Sequence, residues 1–121
     1  MFQTDYIMRQ IETFVRVLAK VLLGKDQDDI YSFISVDETG ADTDPLQIQL
    51  EKLISLGNIN EAEDLLFEKL EEGDMKTVET ALRFYKTLND MSDEQLEECN
   101  FSREEITEGI KEIGENFGIS L

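Results

Sequence analysis

Apolar residues recur along the first part of this chain at spacings of three and four, the periodicity of one helix face. The run extends from about Asp5 to Leu23, and charged residues follow the opposite face at the same spacing. Gly24 comes next and can adopt the left-handed conformation that ends many helices. The pattern predicts a long amphipathic helix, whose apolar positions are Ile7, Ile11, Phe14, Val15, Val17, Leu18, Val21, Leu22 and Leu23.

Two stretches after this helix differ in pattern from the rest of the chain. Residues 25–36, KDQDDIYSFISV, predict a short second helix or a turn with its apolar residues facing inward. Residues 37–44, DETGADTD, have the composition of a loop and predict a flexible acidic linker.

Capping residues divide the remainder of the chain into five predicted helices. Asp44 as N-cap and Pro45 at the first helical position begin one helix, which Gly57 closes. Asn60 with Glu63 has the spacing of a capping box and predicts the start of the next helix.

The last three predicted helices also begin at polar capping residues. Asp74 precedes a run with helical periodicity, and Ser92 with Gln95 and Ser102 with Glu105 repeat the capping-box spacing. No alternation at period two, which would favour strands, competes with these patterns.

The sequence therefore predicts an all-α fold, a small bundle of about six to seven helices in one domain spanning residues 1–121. Within it we expect an N-terminal helical segment at 1–36, the flexible acidic loop at 37–44 and a repeat-like helical segment at 45–121.

Residues 53–74, LISLGNINEAEDLLFEKLEEGD, place a Gly-Asn turn between two predicted helices. Gly57 turns the chain, and the small Ala62 allows the second helix to approach the first closely. This unit resembles the helix-turn-helix of tetratricopeptide repeats, although no second copy follows at the period of about 34 residues. The resemblance implies an αα-hairpin whose packing residues are Gly57, Ala62 and Leu66.

A wider resemblance covers most of the chain. It opens with DYIMRQIE at residues 5–12, continues with an apolar helix ending in GKD at residues 24–26, and then has the helical hairpin. In this organisation it is similar to an uncharacterised family of short bacterial all-helical proteins. The resemblance implies a cytoplasmic bacterial protein of unknown function and supplies no site residues.

The net charge of the chain limits the classes of molecule that it can bind. The chain has 28 acidic and 11 basic residues, a net charge of −17. Nucleic-acid binding is not expected, because it depends on basic residues that neutralise phosphates. Residues 1–60 carry five basic and ten acidic residues, and residues 61–121 carry six and eighteen. A solvated acidic surface, an acidic face for a basic partner and a nucleic-acid mimic all fit this distribution.

Candidate catalytic and metal-binding residues are few. The chain has no histidine, and its single Cys99 follows two glutamates, which disfavour a reactive thiolate. We therefore expect no catalytic residues and no cofactor. The usual zinc and iron sites are excluded, which leaves hard cations for the acidic stretches at 26–29 and 37–44. Neither stretch has EF-hand spacing, and we expect no metal-binding residues.

The long first helix carries more apolar residues than the short helices of a small domain can cover. Exposed apolar patches usually find a partner, and a two-fold homodimer is the simplest way to bury one. A further interpretation is that this helix is the central core element and that its basic residues pair with nearby acids. Membrane contact is the weakest interpretation, because the acidic remainder of the chain would be repelled by anionic lipid. We expect the dimer face to contain Phe14, Val17, Leu18 and Val21.

These observations predict a non-enzymatic helical module for protein–protein interaction, whose partner is another protein or a second copy. The alternative is a protein or enzyme that binds a hard cation or a small molecule through carboxylates. A single cysteine fits a reducing compartment, and we expect a cytoplasmic location.

Overall fold

Six helices make up the part of the chain that the computed structural model describes, residues 2–24 and 45–121. No strand occurs in these two ranges, which confirms the predicted all-α fold. The helix or turn expected at 25–36 and the loop expected at 37–44 lie outside the described residues. The helices are α1 (Phe2–Leu23), α2 (Pro45–Ser55), α3 (Ile59–Leu70), α4 (Met75–Asn89), α5 (Asp93–Glu98) and α6 (Arg103–Asn116).

The last three helices begin where the capping residues predict. The Asp74 side chain accepts a hydrogen bond from the first turn of α4. Ser92 with Gln95 and Ser102 with Glu105 form reciprocal capping boxes at the starts of α5 and α6. Each box satisfies backbone N–H groups that would otherwise have no partner at the helix end.

The start of α3 differs from the prediction. Asn60 is not the N-cap, because the helix already begins at Ile59, after Asn58, whose side chain makes no capping hydrogen bond. The Asn60 side-chain amide instead donates to the backbone carbonyl of Asn100 at 3.4 Å. Glu63, expected to complete a capping box, has its partner on another helix.

The long helix α1 packs most extensively against α6 and α4. Its residues Ile11, Val15 and Leu18 are fully buried in the main core. On α4, the Asn89 side-chain amide donates to the backbone carbonyl of Met8 at 3.1 Å and so fixes the two helices together. None of the described helices combines the length and the apolar character needed to cross a membrane.

An antiparallel hairpin of α2 and α3 packs against α4. Gly57, in the turn, has a φ of 82°, in the left-handed region that favours glycine. Its N–H bonds to the Ile54 carbonyl, and the next N–H bonds to the Leu53 carbonyl, which together form the usual glycine-terminated helix end. Ala62 and Leu66 are fully buried. The small side chain of Ala62 is thus part of the core.

We expect Ala62→Trp to destabilise the fold by about 1–3 kcal/mol or more, because the larger side chain has no free volume to enter. Chemical denaturation followed by circular dichroism measures this effect. Glu61→Trp is the matched control, since Glu61 is exposed on the same helix. Equal stability of the two variants would show that residue 62 does not lie at a packed helix contact.

Candidate functional site

An open cavity of about 470 Å³ lies between the start of α1, α5 and the start of α6. Its volume lies in the range of pockets that hold ligands or side chains, about 300–1,000 Å³. Apolar side chains and carboxylates share its walls. The lining residues are Ile7, Asp93, Leu96, Glu97, Asn100, Phe101, Ser102, Arg103, Glu104 and Glu105.

The end of α5 shapes one wall of the cavity. Asn100 has a φ of 61°, a left-handed conformation that asparagine tolerates better than most residues. Its N–H bonds to the Glu97 carbonyl, and the Phe101 N–H bonds to the Leu96 carbonyl at 3.0 Å. This hydrogen-bond pattern ends the helix and brings the aromatic ring of Phe101 back beside Leu96.

Arg103, at the start of α6, lines another wall of the cavity, and it is only 7% exposed. Its Nε donates to Asp93 at 2.8 Å, and one terminal nitrogen donates to the Met91 carbonyl at 2.6 Å. The other terminal nitrogen donates to the carbonyl of Asn89 at 2.9 Å and to its side-chain oxygen at 3.2 Å. One guanidinium therefore ties the end of α4 and the start of α5 to the start of α6.

The walls of the cavity carry an excess of negative charge. Arg103 is the one basic residue among those that line it, and its nearest acidic partner is Asp93. Glu97 and Glu104 are exposed, and Glu105 is half-buried. The ion pairs within the described ranges involve none of these three glutamates.

A second polar group lies next to the cavity and includes Tyr85 and Glu63. Tyr85 is fully buried on α4, and its hydroxyl donates to Oε2 of Glu63 at 2.6 Å. Gly109 on α6 makes room for this pair, because a Cβ there would overlap the Tyr85 hydroxyl and lie 2.9 Å from Glu63 Oε2. Phe84 packs edge-on against the Tyr85 ring, with centroids 5.1 Å apart.

Burial and neighbouring charges act on both groups of this pair. Burial raises the pKa of Glu63, and the negative charges of Glu105, Asp64 and Glu112 raise it further, although the Tyr85 hydrogen bond opposes them. Burial and the charge of Glu63 raise the pKa of Tyr85, so the phenol stays protonated as the donor. Glu105 connects the two regions, because it lines the cavity and acts on Glu63.

The residues predicted for a dimer face do not share one environment. Leu18 is fully buried in the core, so its assignment to that face is wrong. Phe14 is half-buried toward α6, where Lys111 Nζ lies 6.0 Å from the centre of its ring. Val17 is half-buried, and Val21 is 58% exposed. Of these four residues, Val21 alone is exposed.

Cys99 is a free thiol and half-buried. Its Sγ would lie 3.9 Å from a Cβ at Gly57, which places it beside the α2–α3 turn. No group of three or more carboxylates or cysteines that could hold a metal ion occurs among the described residues. The acidic stretches 26–29 and 37–44 lie outside those residues.

Sequence reasoning missed the most connected polar residues of the site. Arg103 stands directly after a predicted N-cap, where a basic residue is unremarkable, and its partners lie 10 to 14 residues away. Glu63 is 22 residues from Tyr85. A glycine inside a predicted helix, as at Gly109, is the sequence signal that another group approaches the backbone closely there.

The family comparison bears on the whole chain. A model described as a family of unknown function, DUF6483, matches residues 1–118. The chain belongs to this family. The searches of curated proteins and of solved structures returned no match. This match confirms the predicted membership of a family of unknown function.

We expect Glu63→Gln to stabilise the protein at neutral pH, because an amide can still accept the Tyr85 hydrogen bond without a buried charge. The raised pKa of Glu63 means that its ionised form destabilises the folded state above that pKa. This cost disappears as the pH falls below the usual value of 4.5, so the advantage of the variant should shrink there.

Thermal unfolding across pH 4 to 8, about the range over which carboxylates and their shifted forms titrate, measures the difference. Glu61→Gln serves as the control, because it removes one charge from an exposed position on the same helix. A Glu63→Gln variant that is less stable than wild type at every pH would contradict the electrostatic interpretation.

Proposed function

We propose that this protein is a non-enzymatic helical module for protein–protein interaction and that the cavity between α1, α5 and α6 is its recognition site. The observation that carries the proposal is an open recess whose walls combine apolar side chains with carboxylates. Such mixed recesses are typical of sites that anchor a side chain of a partner.

The roles of the lining side chains favour recognition over catalysis. Ser102 and Glu105 are engaged in capping α6, and Arg103 is engaged in fixing α4 and α5. Glu97 and Glu104 are exposed at the rim of the cavity. A general base needs a suitably shifted pKa and access to the proton that it removes. Burial raises the pKa of Glu63, but its carboxylate accepts a hydrogen bond from the buried Tyr85.

The α2–α3 hairpin supports the same kind of function. Its resemblance to a tetratricopeptide unit, together with its tight Gly57 turn and buried Ala62, is in keeping with a scaffold for protein contacts. We place the protein in the bacterial cytoplasm on the resemblance of its sequence and on its single cysteine, which suits a reducing compartment.

A second candidate interaction is self-association through the outer side of α1. Tyr6 is 67% exposed and Val21 is 58% exposed, at the two ends of one side of the helix, with the half-buried Val17 between them. In an antiparallel two-fold pair of α1 helices, Tyr6 of one copy would face Val21 of the other. We propose a homodimer of this kind, independent of the cavity.

Glu97→Trp should abolish capture of the partner, because the indole fills the mouth of the cavity. The measurement is affinity capture from the native host with wild type and variant as bait, followed by mass spectrometry. Glu98→Trp is the matched control, since this neighbouring residue is exposed on α5 and does not line the cavity. Identical captured proteins with all three baits would contradict the proposed site.

A cation-binding function makes a different prediction and is tested separately. Titration calorimetry with Mg²⁺, Ca²⁺ and Mn²⁺ should detect no binding tighter than about 10 μM, a value within the range of sensor sites. Tighter binding would favour the alternative of a carboxylate-based cation site over an interaction module.

Val21→Glu should shift a dimer toward monomer without unfolding it, because the side chain is exposed within one copy and would carry charge into the interface. Sedimentation equilibrium at about 100 μM, where even a weak micromolar dimer is populated, reports the mass. Gln49→Glu, at an exposed position on α2, controls for added charge. A wild-type monomer at this concentration would overturn the dimer.

A further inference from the structure

The charge on the cavity walls indicates what the cavity can accept. Glu97, Glu104 and Glu105 surround a recess whose one basic residue is turned inward toward Asp93 and backbone carbonyls. Bringing an anion among these carboxylates would be repulsive, and a neutral group would leave their mutual repulsion unchanged. A cationic group is the occupant that lowers the electrostatic energy of the walls.

The start of α6 could by itself attract an anion, because helix N-termini carry exposed N–H groups and a partial positive charge. At the start of α6, two of these N–H groups already donate to side chains of the chain itself. The Ser102 hydroxyl accepts from the Glu105 N–H, and the Glu105 carboxylate accepts from the Ser102 N–H at 2.9 Å. Glu104 adds a further negative charge in the first turn. The helix end therefore does not favour an anionic ligand.

Apolar groups complete the walls. Leu96 and Phe101 are almost fully buried beneath the recess, and Ile7 of α1 is half-buried at its edge. A free metal ion or a polyamine would make no apolar contact with the accessible part of Ile7. A segment with both an apolar and a basic side chain would contact both parts of the wall.

We infer that the cavity receives a basic segment of a partner protein, with an apolar side chain against Ile7, above the buried Leu96 and Phe101, and a lysine or arginine side chain among Glu97, Glu104 and Glu105. The inference rests on the proposed function and adds the chemistry of the partner to it. Electrostatic attraction to such a segment also speeds its association, since the acidic second half of the chain steers it toward the site.

Two capped peptides test this inference directly. They share leucines at helical spacing, and one carries lysines and arginines at the remaining positions where the other carries glutamates. Fluorescence anisotropy with the full chain should show binding of the basic peptide only. Binding should weaken between low salt and an ionic strength of about 0.15 M, where screening acts over about 8 Å.

Paired variants separate the cavity from the overall charge. Glu97→Gln with Glu104→Gln should weaken binding of the basic peptide by about fivefold or more, the effect expected from two partly exposed ion pairs. Glu68→Gln with Glu71→Gln removes the same charge from exposed positions on and after α3 and should leave binding within about twofold of wild type. Equal weakening in both pairs would overturn the inference, because binding would then follow net charge alone.

The remaining outcomes distinguish the inference from the function on which it rests. Equal binding of the acidic and basic peptides, or binding of neither, would overturn the inference. If Glu97→Trp still abolished capture of a host protein in that case, the proposed function would stand with a partner of other chemistry. If Glu97→Trp left capture unchanged, the proposed function itself would fail.

Discussion

The buried guanidinium of Arg103 determines the arrangement on which the cavity depends. It contacts a carboxylate, two backbone carbonyls and an amide oxygen that belong to the end of α4, the loop after it and the start of α5. A buried charge is tolerated only when its hydrogen bonds are satisfied in this way. Asn89, one of these partners, also donates to the carbonyl of Met8. The network thus extends from α6 to α1 and fixes the walls that face each other across the recess.

The hydrogen-bonded pair of Tyr85 and Glu63 differs from the Arg103 network, because it brings a carboxylate close to other negative charges. It joins α3 to α4 and fits only because Gly109 has no side chain, yet it holds a carboxylate near three others. A neutral pair would fill the same space at lower electrostatic cost. Glu105 links this pair to the cavity, because it lines the cavity and its negative charge raises the pKa of Glu63.

Local signals predicted the secondary structure well, and they failed where distant residues decide. The starts at Asp74, Ser92 and Ser102 follow from side chains within one helical turn, which a sequence displays directly. Asn60 and Glu63 had the same spacing, but their partners lie 40 and 22 residues away, so a tertiary contact replaced the local one.

The prediction of which apolar residues of α1 are exposed was limited for a related reason. The apolar stripe of α1 was visible in the sequence, but its division between core and surface depends on how many helices pack around it. Leu18 is fully buried, whereas Val21, less than one turn later, is exposed. The cavity combines residues from three helices and has no local pattern, so the sequence could suggest an acidic face for a basic partner without locating it.

The central position of α4 has a mechanical consequence. Among the described helices, α4 packs against α1, α6 and both helices of the hairpin, whereas the hairpin contacts the rest of the bundle chiefly through α4. The α2–α3 hairpin and the bundle of α1 and α6 therefore depend on one shared element, α4. Opening of the hairpin would expose its backbone amides to exchange and break the hydrogen bond from Asn60 to Asn100 at the cavity wall, whereas any event that loosens α4 would reach every helix that packs on it.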